Sequence, residues 1–278
     1  MNTAIQTLID SARGPSSAFA ASLERTDIEL RTPAALASEA DPRTSPTYTF
    51  LSSESVIRAL GDAGFVPVSA AQTRSRRTNP LSARHVIRFR RRYESVTLRD
   101  CVPEILFLNG HDGRTATQFR LALFRPICTN GLIVCDDTLP TWRVPHRGNT
   151  LDEVIAAAIR QSEQFAEVGA WVERMERTRL EAEQRLAFAT SAMALRFPKK
   201  RPEGMEPVHL LAPRREADQG HDLWTTYNVV QEHVIKGGLS YRLGPKRQMH
   251  SRGIRAIRED VRLNTELWRM ATALVVSN

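Results

Sequence analysis

Residues 103–134 read PEILFLNGHDGRTATQFRLALFRPICTNGLIV and gather Glu104, His111, Asp112 and Cys128, with Asp136, Asp137 and His146 close behind. A histidine beside carboxylates can take a proton from water while the acids hold a divalent cation, the chemistry of metal-assisted phosphoester hydrolysis. On that reading His111 is the base and Glu104 and Asp112 are the acids of a nuclease-type centre. A structural reading competes with it. Asn109-Gly110 and Asn130-Gly131 are turn pairs, since both residue types tolerate the positive φ of tight hairpins. His-Asp recurs at His221-Asp222, where an aspartate suits a helix cap. Spacing singles out no catalytic set, so the enzymatic reading stands second.

Arginine supplies the other chemistry. Arg88, Arg90 and Arg92 alternate in HVIRFRRRY, so on a strand they share one face at about 7 Å intervals, near the phosphate spacing of a nucleic-acid strand. Arg74, Arg76, Arg77 and Arg84 precede them, and Tyr93 follows. A second basic run carries Lys236, Tyr241, Arg242, Lys246, Arg247, Arg252 and Arg255 among Gly237, Gly238, Gly244 and Gly253. Arg147 precedes an expected helix start, where phosphate is also favoured. Residues 74–92 hold eight arginines and residues 236–258 hold seven Lys or Arg, with no acid in either window. The net charge is only +8, so the rest of the chain is net acidic and the positive charge is localised. Phe89, Tyr93 or Tyr241 could stack on bases. Edge-strand protection and a solvated basic loop are the structural alternatives. GPKRQ lacks the frame of a phosphate-binding P-loop, so no nucleotide cofactor is expected.

Elements must position these groups. Residues 1–45, rich in Ala, Ser, Thr and Pro, read as a flexible arm, and one α+β domain spans 46–278. SSESVIRALGDAG predicts a helix closed at Gly61 or Gly64. From 66 to 146, short segments of period two predict an antiparallel sheet, making 46–148 the sheet-rich part. Residues 149–278 read as helical, with helices near 151–176 and 179–196. Capping-box spacing marks their starts at Thr150/Glu153 and Thr178/Glu181. Further helices are expected at HDLWTTYNVVQEHVIKGG and about 254–275. The expected architecture is an antiparallel sheet with helices on one face, the bare face being lined by arginines.

Three cysteines without CxxC spacing read as reduced thiols rather than a disulfide framework or a metal ribbon. No apolar run approaches about 20 residues, and MNTAIQTLIDSARG lacks the order of a secretory signal, so cytoplasmic residence without membrane contact is expected.

PEILFLNGHDGRTATQFRLALFRPICTNGLIV, RVPHRGNTLDEVI, DLWTTYNVVQEHVIKGGLSYR and DVRLNTELW together resemble the YafZ/YfjQ/YubP-like family of uncharacterised phage and plasmid proteins, from about Tyr48 onward. The resemblance implies life on mobile DNA, where accessory proteins act in replication, recombination or transfer. The leading expectation is therefore a nucleic-acid-binding accessory protein, DNA ahead of RNA, with little base specificity and with homo-oligomer formation adding avidity. A metal-dependent nuclease, or an interaction module that inhibits a host system, are the alternatives.

Overall fold

A computed structural model describes residues 22–73, 79–92, 100–126, 130–134, 142–144, 151–242 and 247–277. It is an α+β protein. The chain divides into two compact units, residues 1–131 with 142–162 and residues 132–141 with 163–278.

Helices α1 (Arg25–Arg31) and α2 (Ser53–Asp62) precede the strands β1 (Phe65–Gln72), β2 (His85–Arg91), β3 (Val102–Asn109) and β4 (Thr117–Arg125) in the first unit; β5 (Asn130–Val134) begins there and runs past its boundary at residue 131, and β6 (Trp142–Val144) lies within it. Helix α3 (Leu151–Glu163) follows. The strand order is β1-β2-β3-β4-β5, with β6 also on β4. The β1-β2, β2-β3 and β3-β4 pairs are antiparallel.

Alternation sorts one sheet face into rows. Ile87, Phe107 and Phe119 lie opposite one another across three strands, as do Phe89, Ile105 and Leu121, and all six are fully buried. Phe107 and Phe119 stack at 5.2 Å. Val56 and Leu60 of α2 are fully buried as well. Helix α2 begins where the sequence places it, with the Ser52 hydroxyl accepting from the Ser55 N–H at 3.2 Å, and ends before Gly64 at φ +87°.

The arm expected over 1–45 is anchored from residue 22. The Leu23 N–H donates to Pro67 O at 2.7 Å, the Ala34 N–H to Gln72 Oε1 at 2.9 Å, and the Asp41 N–H to His111 O at 2.9 Å. Ile28, Ala34 and Ala35 are buried. Small alanines let the chain lie close, which composition alone had suggested was looseness.

The hairpin connection read at NGHDG does join β3 to β4, but neither Asn-Gly pair is itself the tight turn. Asn109 is the last residue of β3, with its side chain buried, and the loop runs over 110–116 with positive φ at Gly113 (+70°). Asn130 opens β5 rather than forming a turn.

The second unit holds α4 (Phe165–Arg177), α5 (Ala182–Arg196), α6 (Leu223–Lys236), the hairpin β7 (Ser240–Arg242) and β8 (Gln248–His250), and α7 (Ile257–Ser277). The single helix expected over 151–176 is interrupted at Gln164, whose ψ is 0°. The capping box assigned to Thr178 is also wrong. The Thr178 hydroxyl donates back to Arg174 O at 2.8 Å to close α4, and Glu181 caps α5 with Gln184. Both spacings are local; the chain used the next one along.

Helix α6 is buried nearly all round. Tyr227 stacks on Trp224 at 5.8 Å and meets Trp268 of α7 edge-on at 5.9 Å, while the Gln231 amide donates to Asn264 Oδ1 at 2.7 Å. The helix ends at Gly237, φ +72°. A Cβ there would sit 2.5 Å from Ser251 O and 2.7 Å from the Arg252 carbonyl carbon. Replacing Gly237 with Ala therefore combines a left-handed backbone with a backbone collision, and a loss of about 2 kcal/mol or more is expected from urea unfolding. An unchanged midpoint would refute this packing.

Candidate nucleic-acid interface

The arginine ladder of β2 exists, but it faces inward. Leu106 of β3 lies opposite Arg88, and Glu104 projects from the same face as Arg88 and Arg90. Glu104 is fully buried and Arg90 is 4% exposed. Arg88 donates to Glu104 through Nε at 2.5 Å and Nη2 at 3.0 Å, and Arg90 donates through Nε at 2.7 Å. Both guanidiniums also lie over Phe124, at 4.5 and 4.8 Å from the ring centre. The face read as bare and cationic is a closed polar layer. Buried Leu106, Ala122 and Arg120 share it, the last donating to Gln118 at 3.0 and 3.3 Å.

Arg88 and Arg90 are thus structural partners of one carboxylate. A buried carboxylate needs compensation of this kind because desolvation otherwise costs several kcal/mol. Arg84, half-buried, donates to Thr115 Oγ1 at 3.2 Å. Arg92 is exposed. Arg74, Arg76, Arg77, Tyr93, Arg147 and Lys246 lie outside the described residues, as do Asp136, Asp137, His146, Cys128 and Cys135.

The hydrolytic trio does not converge. Glu104 is held by the two arginines, and Asn109, five residues on, is already about 17 Å along the strand. His111 is fully buried, its ring 4.8 Å from Phe50 and 5.3 Å from His85. Asp112 accepts from the Arg114 N–H at 3.0 Å, closing its own turn. Among the described residues, no group of three His, Cys, Asp or Glu side chains could hold a metal.

Residues 103–117 instead contribute to a buried relay that sequence reading missed. Thr117 donates to Asn109 Oδ1 at 3.1 Å, Asn109 to Ser53 Oγ at 2.8 Å, Ser53 to His85 Nε2 at 2.8 Å, and His85 Nδ1 to Ala83 O at 2.9 Å. A carbonyl only accepts, so the proton sits on Nδ1 and neutral Nε2 accepts from serine. All four side chains are fully buried, joining α2 to three strands. Burial lowers the His85 pKa from 6.5 to about 4.

Among the described residues, the second unit carries exposed cations outside internal ion pairs. The β7-β8 hairpin pairs Tyr241 with Met249 and Arg242 with Gln248. Arg242, Arg247, Arg252 and Arg255 are exposed, and among the described residues no ion pair involves them. Tyr241, half-buried, lines two clefts. One, of about 620 Å³, is walled by Ser240, Arg242, Arg247, Gln248 and Glu203. The other, of about 280 Å³, is walled by Arg196, Phe197, Arg252, Ile254 and Arg255. Arg196 and Phe197, absent from the sequence reading, enter only because α5 ends beside the hairpin's return. The Arg196 Nη2 donates to Arg252 O at 2.8 Å.

Lys236 belongs to another cluster of charges. Its ammonium is 3.5 Å from Glu232, which also receives two bonds from Arg215 at 2.7 Å each. Despite burial, these cations hold the Glu232 carboxyl below its usual pKa. Gly237 and Gly253 pack closely against backbone, and Gly253 also lines the smaller cleft.

Residues 43–268 match the model of a domain of unknown function, DUF932. The chain belongs to that family. It is 37% identical to the UPF0380 protein YafZ of Escherichia coli (strain K12) and 36% identical to UPF0380 protein YfjQ of the same organism, each over 257 residues covering 91% of this chain and 92% of the relative. No solved structure matches. The YafZ/YfjQ-like resemblance in the sequence is therefore correct.

Glu104→Gln would leave Arg88 and Arg90 with an uncompensated charge, and a loss of roughly 3–5 kcal/mol in chemical unfolding is expected; a loss below 1 kcal/mol would contradict the pairing. His85 gives a pH signature. Its folded pKa is depressed, so the unfolded chain binds more protons between about 4 and 6.5. Stability is full above 6.5 and falls toward pH 4 by roughly 3 kcal/mol from this group. His85→Asn should lower stability at neutral pH yet flatten that dependence, read from urea midpoints at pH 7 and 5.

Proposed function

We propose that this protein binds DNA with little sequence preference, using the basic hairpin and adjoining turn of its second unit, as an accessory protein of mobile genetic elements. One observation carries the reading: a half-exposed tyrosine sits between two clefts whose rims bear Arg242, Arg247, Arg252 and Arg255. Guanidinium groups without internal carboxylate partners are available to phosphates, and an aromatic ring among them can stack on a base. Phosphate contacts would supply most of the affinity, which gives position without sequence readout.

The reading moves away from the β2 ladder, because Arg88 and Arg90 satisfy Glu104. It leaves aside a metal-dependent nuclease, since Glu104, His111 and Asp112 occupy separate settings. No helix among the described residues is long and apolar enough to cross a membrane. Residence in the cytoplasm, a role in recombination, annealing or replication, and self-association along a strand belong to the same proposal.

Titrating salt against a labelled oligonucleotide tests it. Four phosphate contacts predict a log-log slope of about −3 for a single strand, and each Arg→Ala change at 242, 247, 252 or 255 should reduce it by roughly 0.7. Arg88→Ala should lower stability and leave the slope alone. A flat salt response, or a slope that survives removal of all four arginines, would defeat the proposal.

A further inference from the structure

We infer that the smaller cleft is a subsite for one unpaired nucleobase of a single strand, an inference that rests on the nucleic-acid reading above. The composition of its walls points there. Tyr241, Phe197, Pro202 and Ile254 supply apolar and aromatic surface, while Arg196, Arg252 and Arg255 bring positive charge to the same cleft. A site for bare phosphate has no use for that apolar lining. Phosphate would also meet Glu259, which lines the cleft and is held ionised by Arg262 through bonds of 2.9 and 2.7 Å. A heterocycle with polar edges tolerates one acceptor on the wall, whereas a free anion is repelled by it.

Size agrees. At about 280 Å³ the cleft lies near the lower end of small-molecule pockets, roughly 300–1,000 Å³, enough for one flat ring system and too small for a base pair with its neighbours.

Its cation is positioned beforehand. The Arg196 guanidinium lies 5.3 Å from the Phe197 ring centre and is fixed by its bond to Arg252 O. A half-buried, planar guanidinium beside an aromatic ring offers a stacking surface as well as a charge. The larger cleft, sharing Tyr241, carries Arg242 and Arg247 at the position of a neighbouring nucleotide. A strand laid across the hairpin would place one base against Tyr241, with phosphates on the arginines around it. A duplex must first unstack and unpair a base to do this, at a cost of a few kcal/mol, so a single-strand preference follows.

The test compares ligands of equal length and backbone charge on the full chain: an ordinary single strand, the same strand with abasic sites, its duplex, and a free mononucleotide. The ordinary strand should bind about tenfold more tightly than the abasic one, with the same salt slope for both. Tyr241→Ala should bring the ordinary strand down to the abasic level, and Tyr241→Phe should restore the difference. Equal binding of the ordinary and abasic strands, with steep salt dependence intact, overturns the base subsite and leaves phosphate binding standing. No binding of any strand at low salt defeats both. A mononucleotide as tight as the strand would reassign the cleft to free nucleotides. Should Tyr241→Ala fail to fold, the comparison of ordinary and abasic strands on the unaltered chain still decides.

Discussion

A single carboxylate with no access to solvent governs how this molecule uses its arginines. Glu104 sits on the central strand β3, fully buried, and receives Arg88 and Arg90 from the neighbouring strand. Removing a carboxylate from water is costly, and two guanidiniums with Phe124 beneath them offset that cost through charge and donors together. Strand pairing sets the geometry. Leu106 lies opposite Arg88 and Ile105 opposite Phe89, a register that brings Glu104 level with Arg90 and diagonal to Arg88, so any slip by one residue would send it to the apolar face. The polar layer therefore also fixes register.

The same economy recurs in each unit. The apolar face of the sheet carries the directional relay from Thr117 to Ala83, in which the Asn109 amide also donates to Leu51 O at 3.3 Å and the histidine tautomer is set by a carbonyl. In the helical unit Glu232 plays the part of Glu104, gathering Arg215, Arg214 and Lys236, while His233 donates to Ala212 O at 2.8 Å. Cations drawn to these buried acids are structural. Arg242, Arg247, Arg252 and Arg255 have no such partner among the described residues and stay exposed, the contrast on which the proposed hairpin site rests.

Much of the architecture was legible locally. Period-two segments gave β2, β3 and β4, the serine cluster gave the start of α2, and Asp222 and Gly237 bound α6 at both ends. Errors arose where two local readings compete. Thr178 and Glu181 both fit a cap, and the choice depends on where α4 stops. Asn-Gly at 109–110 fits a tight turn, yet Asn109 is drawn into the sheet because its amide completes the buried relay.

The sequence by itself determined the α+β class, the alternation that puts Arg88 and Arg90 on one face of a strand, the two basic windows and the family. Only the tertiary structure decided which arginines are engaged internally and which surround Tyr241. Glu104 lies 16 and 14 residues from its partners, and Arg196 lies 56 residues from the carbonyl it holds. A charge count cannot register such pairings, because the free energy of a cation depends on the acid, ring or water that folding places beside it.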